Sequence, residues 1–333
     1  MDYKRIFDPV PALPAAVAEQ VTQRADRRDG RVYVYTDEIV LAVNVALVTA
    51  RPLLVRGPSG SGKSTLAQNV ALQLGLRYHE EVITSDTQAR DLLWRFDALR
   101  RLNDAQARSL KQGMAAYLEP GVLWWAFDPT GAKRLAKAAP MGVQLPTTAP
   151  GLVSWMTGKE TVKLPEAVVL LDEIDKADPD VPNNLLVPLG SLQFDVPDLL
   201  CTVKSETPPL VVITTNDERE LPNAFLRRCV ILQLPDPDKD NEYRPYYKER
   251  LLAIAKAHWG EEDVALYDAV ADLTLSDEAL ADRQPGQTTP SPAEYLDTVR
   301  ACLDLNIRPG NANWDEMFKR IAGIVLRKSR TVL

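Results

Sequence analysis

Two kinds of apolar pattern alternate along the first two thirds of the chain. Ala167-Val-Val-Leu-Leu171, Leu210-Val-Val-Ile-Thr-Thr215 and Val230-Ile-Leu-Gln-Leu234 are short, nearly unbroken and rich in branched residues. That pattern predicts strands covered on both faces in a parallel sheet. Residues 52–56 and Tyr78–Thr84 predict two more strands. The spacing turns helical before the first of these, over Glu38–Val48 with Asp37 placed to cap, and again between them over Ser64–Leu74. Residues 86–118 are heavily charged and read as helix until the Glu119-Pro-Gly121 break, which an apolar stretch ending at Phe127 follows. Trp124 and Trp125 in that stretch are expected in a core or a subunit contact. Residues 129–160 carry little pattern and are expected to be loop with short helices, and 194–203 predict a small hairpin.

Past Pro235-Asp-Pro-Asp238 the strand signal stops. Helical spacing covers residues 241–257, 263–272, 292–304 and 314–328, separated by the Pro/Gly-rich stretch 284–292 and by Pro309-Gly310. A chain of 333 residues supports one large domain or two. The expected organisation is an arm over 1–30, an α/β core over 31–237 and an all-helical domain over 238–333. The arm, spotted with Pro9, Pro11 and Pro14, is expected to pack loosely.

Composition narrows the class without naming it. The chain is 45% hydrophobic and 26% charged, ordinary for a soluble protein. Its net charge of −7 argues against a dedicated nucleic-acid binder. Cys201, Cys229 and Cys302 are too scattered for a disulfide framework or a metal cluster, and His79 and His258 read as structural. The start has no apolar signal segment. The longest apolar stretch, Ile39–Ala50, contains Asn44 and Thr49 and is too short to cross a bilayer. A soluble, cytoplasmic protein with no membrane contact is expected.

The candidate chemistry sits where predicted strands end. Gly57-Pro58-Ser59-Gly60-Ser61-Gly62-Lys63-Ser64-Thr65 fits the phosphate-loop spacing between a strand and a helix. Its glycines let backbone N–H groups face a phosphate, Lys63 neutralises β/γ charge and the Ser64 hydroxyl is placed for Mg2+. Asp172 and Glu173 end the next strong strand. One carboxylate there organises a metal's hydration shell and the second orients an attacking water, which favours hydrolysis over transfer to a small molecule. Asn216 ends a third buried strand with a neutral amide, suited either to an Asx-turn or to a γ-phosphate or lytic water. Arg227 and Arg228 lead into the last strand, where they complement a helix C-terminus or serve as an arginine finger across a subunit interface.

In order along the chain, the phosphate loop, Leu170-Leu-Asp-Glu-Ile-Asp175, Thr214-Thr-Asn216 and Leu221-Pro-Asn-Ala-Phe-Leu-Arg-Arg-Cys229 resemble Walker A, Walker B, sensor 1 and the arginine-finger region of AAA+ ATPases. The insertion near 86–118 and the segment after it resemble the helix-2 insert of the MoxR-like branch. The resemblance covers about 30–333. It implies a P-loop AAA+ core of order 5-1-4-3-2 with a helical lid, and a hexameric ring. It also implies ATP and Mg2+ as ligands and a protein client, such as one with a von Willebrand factor A domain, in a chaperone or assembly role. On matching positions it implies phosphate binding by Lys63, Mg2+ binding by Ser64 and Asp172, water activation by Glu173 and a sensor role for Asn216. Arg228 is the first choice for the finger and Arg227 the second. The chain departs from the pattern at sensor 2. Ser291-Pro-Ala-Glu-Tyr295 opens the lid helix without an arginine, and Arg283 and Arg300 nearby have no assigned role. Two rival readings stay open: the motor of a nucleic-acid-targeting defence complex similar to McrB, and an ATP-dependent scaffold with weak turnover. The charged insert is either a solvated face or a client contact.

Overall fold

A computed structural model describes residues 3, 5–9, 30–111, 113–138, 165–238, 244–275 and 289–326. The main sheet has five strands: β1 (Leu53–Arg56), β2 (Arg77–Val82), β3 (Ala167–Asp172), β4 (Leu210–Thr215) and β5 (Val230–Gln233). They lie in the order β5-β1-β4-β3-β2, the expected 5-1-4-3-2 arrangement. β1, β4, β3 and β2 pair in parallel, with Leu53 opposite Val212, Val168 opposite Leu210 and Arg77 opposite Ala167. β5 joins beside β1, where Val230 N donates to Pro52 O at 2.8 Å. Every residue of β3 and β4 is buried, which is why these strands are continuously apolar instead of alternating. The register sets Arg56 beside Thr215 and Val82 beside Asp172, so four strands end along one edge. In open parallel sheets that carboxyl edge is where ligands bind.

The insertion corrects the expectation of continuous helix over 86–118. It contains a 3-10 turn (Ala89–Leu92), a strand (Trp94–Phe96), a helix (Ala98–Gln106), a second turn (Met114–Tyr117) and a strand (Leu118–Pro120). The two strands pair antiparallel, Trp94 opposite Pro120. Asp97 sets where the helix begins, because its carboxylate accepts from Arg100 N at 2.8 Å. The short helix Val122–Phe127 buries all six residues, Trp124 and Trp125 among them, and Trp124 meets Phe194 edge-on at 5.9 Å. The hairpin expected at 194–203 forms from Gln193–Val196 and Cys201–Lys204. Residues Pro129–Ala138 are helix, and 139–160 lie outside the described residues.

Two smaller expectations are also corrected. The first helix spans Asp37–Thr49, and its cap is Thr36, whose Oγ1 accepts from Ile39 N, not Asp37. Residues 5–9 of the arm are not loose. Buried Asn44 accepts from Ile6 N at 2.6 Å and Phe7 N at 2.8 Å and donates back to Phe7 O, with the Phe7 side chain fully buried. That lock accounts for the polar residue inside the apolar stretch. Residues 10–29 of the arm, 284–288 and 327–333 lie outside the described residues.

By internal packing the chain divides into two compact units: 1–31 with 35–56 and 64–232, and 32–34 with 57–63 and 233–333. The second is built on the helices Arg244–Trp259, Val264–Thr274, Pro292–Asp304 and Trp314–Val325 around Tyr247, Leu251, Tyr267, Tyr295 and Val299.

Candidate active site

The loop from Gly57 to Gly62 leaves β1 and enters the helix Lys63–Leu74. Gly60 (φ +72) and Gly62 (φ +93) turn through the left-handed region that side chains disfavour. The chain thereby brings the first N–H groups of a twelve-residue helix to the loop, the arrangement that receives a phosphate. Lys63 is buried, and its Nζ donates to Gly57 O and Pro58 O, both at 2.8 Å. Ser61 Oγ is buried with no hydrogen-bond partner among the described residues. A Cβ on Gly60 would lie 2.4 Å from Ser291 Oγ and 3.1 Å from Ala293 Cβ. The loop tip therefore rests on the start of the helix Pro292–Asp304, where Ser291 and Glu294 form a capping box. Serine and alanine occupy the region where the family resemblance implies an arginine. Arg300 is exposed and bonds Asp304 at 3.4 Å, and Arg283 lies outside the described residues.

The strand ends assemble a second group. Ser64 Oγ lies 2.8 and 2.9 Å from the two carboxylate oxygens of Asp172. Thr214 Oγ1 donates to Asp172 Oδ1 at 2.6 Å and accepts from Glu173 N at 2.8 Å, so one hydroxyl fixes both acids. Glu173 sits in the left-handed region (φ 62, ψ 50). That is an unusual conformation for a residue with a Cβ and one that concentrates at functional sites. Asn216 Nδ2 donates to Glu173 Oε1 at 3.3 Å, and Lys176 Nζ to Glu173 Oε2 at 2.6 Å. That bond, with the charges nearby, holds the Lys176 ammonium above its ordinary pKa. Buried Asp175 accepts from Asn216 N at 3.1 Å and Glu218 N at 3.0 Å and so shapes the turn presenting Asn216.

Ser64, Asp172, Glu173 and Asn216 are thus brought together. Thr214, Asp175 and Lys176 were missed by sequence reasoning, although the run Asp172–Lys176 and the doubled threonine lie inside the motifs. Arg227 and Arg228 are exposed at the end of the helix Asn223–Leu226. Arg228 Nη1 bonds Ala224 O at 3.2 Å, and the Arg227 guanidinium makes no bond among the described residues. The hydroxyl of Ser64 and carboxylate of Asp172 form an adjacent all-oxygen donor set, which fits Mg2+.

A glycine-turned loop, a hydroxyl–carboxylate pair and a second carboxylate steadied by an amide, on a 5-1-4-3-2 sheet, are the features of a P-loop nucleotide hydrolase. The chain belongs to the AAA domain family, dynein-related subfamily, whose model matches residues 52–229, more than half of its length. It is an ATPase. No curated protein matches it. Among solved structures it is similar to a provisionally assigned ATPase of Cytophaga hutchinsonii (14% identity, 86% of this chain and 79% of the other, TM-score 0.37). It is also similar to the Thermotoga maritima RuvB Holliday junction branch migration motor (15%, 87% and 70%, 0.43). A third likeness is to NtrX from Brucella abortus in complex with ATP (13%, 89% and 57%, 0.44).

Proposed function

We propose that this chain is a MoxR-like AAA+ ATPase that assembles as a cytoplasmic hexameric ring and uses ATP hydrolysis to remodel or activate a protein client. A client with a von Willebrand factor A domain is the kind the resemblance implies. The observation that carries the reading is Glu173, a second carboxylate beside the Ser64–Asp172 pair and in contact with the Asn216 amide. Such an acid serves water as the nucleophile, so hydrolysis fits better than phosphoryl transfer to a small molecule.

In this reading Gly57–Thr65 cradle the triphosphate and Lys63 neutralises charge on it. Ser64 and Asp172 would hold Mg2+, which when bound neutralises charge on the phosphate oxygens. Glu173 takes a proton from water as the water oxygen bonds the γ-phosphorus. The bond from that phosphorus to the bridging oxygen breaks, and ADP leaves with the electron pair. Asn216 orients Glu173 and the water. Before acting, Glu173 gives up its bond to Lys176. Arg228, with Arg227 second, reaches the nucleotide of a neighbouring copy. No described helix is long and apolar enough to cross a membrane.

Affinity capture with Glu173→Gln, which should bind ATP and stall, tests the client class. A co-purifying assembly factor or von Willebrand A-domain protein supports the reading. A nuclease or DNA would move the chain to a defence motor.

A further inference from the structure

Arg51 stands in the turn between the helix Asp37–Thr49 and β1. Its guanidinium reaches the far end of the family segment. Nε donates to Arg228 O at 3.1 Å, and Nη2 donates to Cys229 O at 3.0 Å and also to Arg227 O. The next carbonyl, Pro52 O, accepts from Val230 N at 2.8 Å. Two consecutive residues therefore grip four consecutive residues, 227–230.

The physical reason lies in the helix Asn223–Leu226. Its own carbonyls at Asn223, Phe225 and Leu226 accept from Arg227 N, Arg228 N and Cys229 N, while those of 227–229 lie past its end, in the turn before β5, where intrahelical donors do not reach. A planar guanidinium with several donors in fixed directions can satisfy three of them at once, whereas an ammonium is a compact point charge. The side chains of Arg227 and Arg228 are exposed, and no ion pair among the described residues fixes them. Apart from the bond from Arg228 Nη1 to Ala224 O, where they point is set by the backbone that Arg51 holds. Cys229 beside them is buried, and burial pushes its thiol up to about 12, against the pull of the Arg51 charge, so it stays neutral packing.

We propose that Arg51 is a positioning residue for the arginine pair, holding the backbone of 227–229 so that the pair is presented to the nucleotide of a neighbouring copy. The proposal rests on the reading that the pair acts in trans. It assigns Arg51 to the subunit that lends the arginines, not to the one that binds the ATP being cleaved.

Mixed assemblies separate these roles. Receiver subunits carry Arg227→Ala with Arg228→Ala and keep their own phosphate loop. Donor subunits carry Lys63→Ala and keep the arginines. Each alone should be inactive, and the mixture should regain ATPase activity. Adding Arg51→Ala to the donor should remove at least tenfold of the regained kcat with KM for ATP unchanged. Adding it to the receiver should change the activity less than twofold. Arg51→Lys in the donor, which keeps the charge and loses the fork, should also lose activity, and carries the same test if the alanine donor melts early. Full recovery with the Arg51→Ala donor, or equal losses on both sides, overturns the proposal. If the parent mixture with intact Arg51 regains nothing, the trans reading itself fails and the proposal falls with it.

Discussion

Thr214 is the residue on which the two acids depend. It is wholly buried, donates to Asp172 and accepts from the Glu173 backbone. Thr214→Val keeps the shape and removes both bonds, leaving a buried carboxylate oxygen and an N–H short of partners. A loss of about 1–3 kcal/mol is expected in denaturant melts, with kcat falling more than ATP affinity. The Leu210–Thr215 run was legible as a strand, but its unbroken apolar character marks Thr214 only as buried, and nothing in the run says which acceptor its hydroxyl finds. His79 reads as structural in the sequence, and its burial gives a pH test. Burial, aided by the Arg77 charge, lowers its pKa from 6.5 to about 3. The unfolded chain then binds the proton more readily than the folded one, so this contribution is intact above the unfolded pKa and shrinks as pH falls towards 3. Stability should drop by about 2 kcal/mol from pH 7 to 5 on this account alone, and His79→Gln should flatten that part of the profile.

Among the elements, the strands of the sheet were the most legible because each is short, apolar and ends in polar chemistry. The insertion was the least. Its charges repeat at spacings compatible with helix, while the pairing of Trp94–Phe96 with Leu118–Pro120 joins residues far apart in sequence. The helix Asp180–Ser191 was not read at all, because Pro182, Pro188 and Gly190 disguise it. Pro182 falls in the first turn, where its missing N–H costs nothing. Where the insertion meets the next helix, Gly121 packs against backbone. A Cβ there would lie 2.5 Å from Leu92 C and O, and Gly121 N donates to Leu93 O at 2.8 Å. Gly121→Ala should cost about 1–3 kcal/mol, read as a lower midpoint in urea. The helix Ala98–Gln106 buries none of its residues, and Leu99 and Leu102 are 75% and 54% exposed. Replacing both with Ser should therefore leave the melting midpoint unchanged.

At the scale of the molecule, family and sheet order were legible because four motifs occur in the expected sequence. The packing of residues 32–34 and 57–63 with the C-terminal unit was not, since it joins segments that composition does not connect. In the proposed reading, Glu173 drives hydrolysis in an assembly whose members lend one another arginines. The most direct measurement is steady-state ATPase activity per chain against protein concentration for the wild type and Glu173→Gln, with ATP retention measured on the same samples. Wild-type activity per chain should rise with concentration to a plateau. Glu173→Gln should retain ATP with kcat lowered by about a hundredfold or more. Activity independent of concentration, or Glu173→Gln turning over at the wild-type rate, would contradict the account.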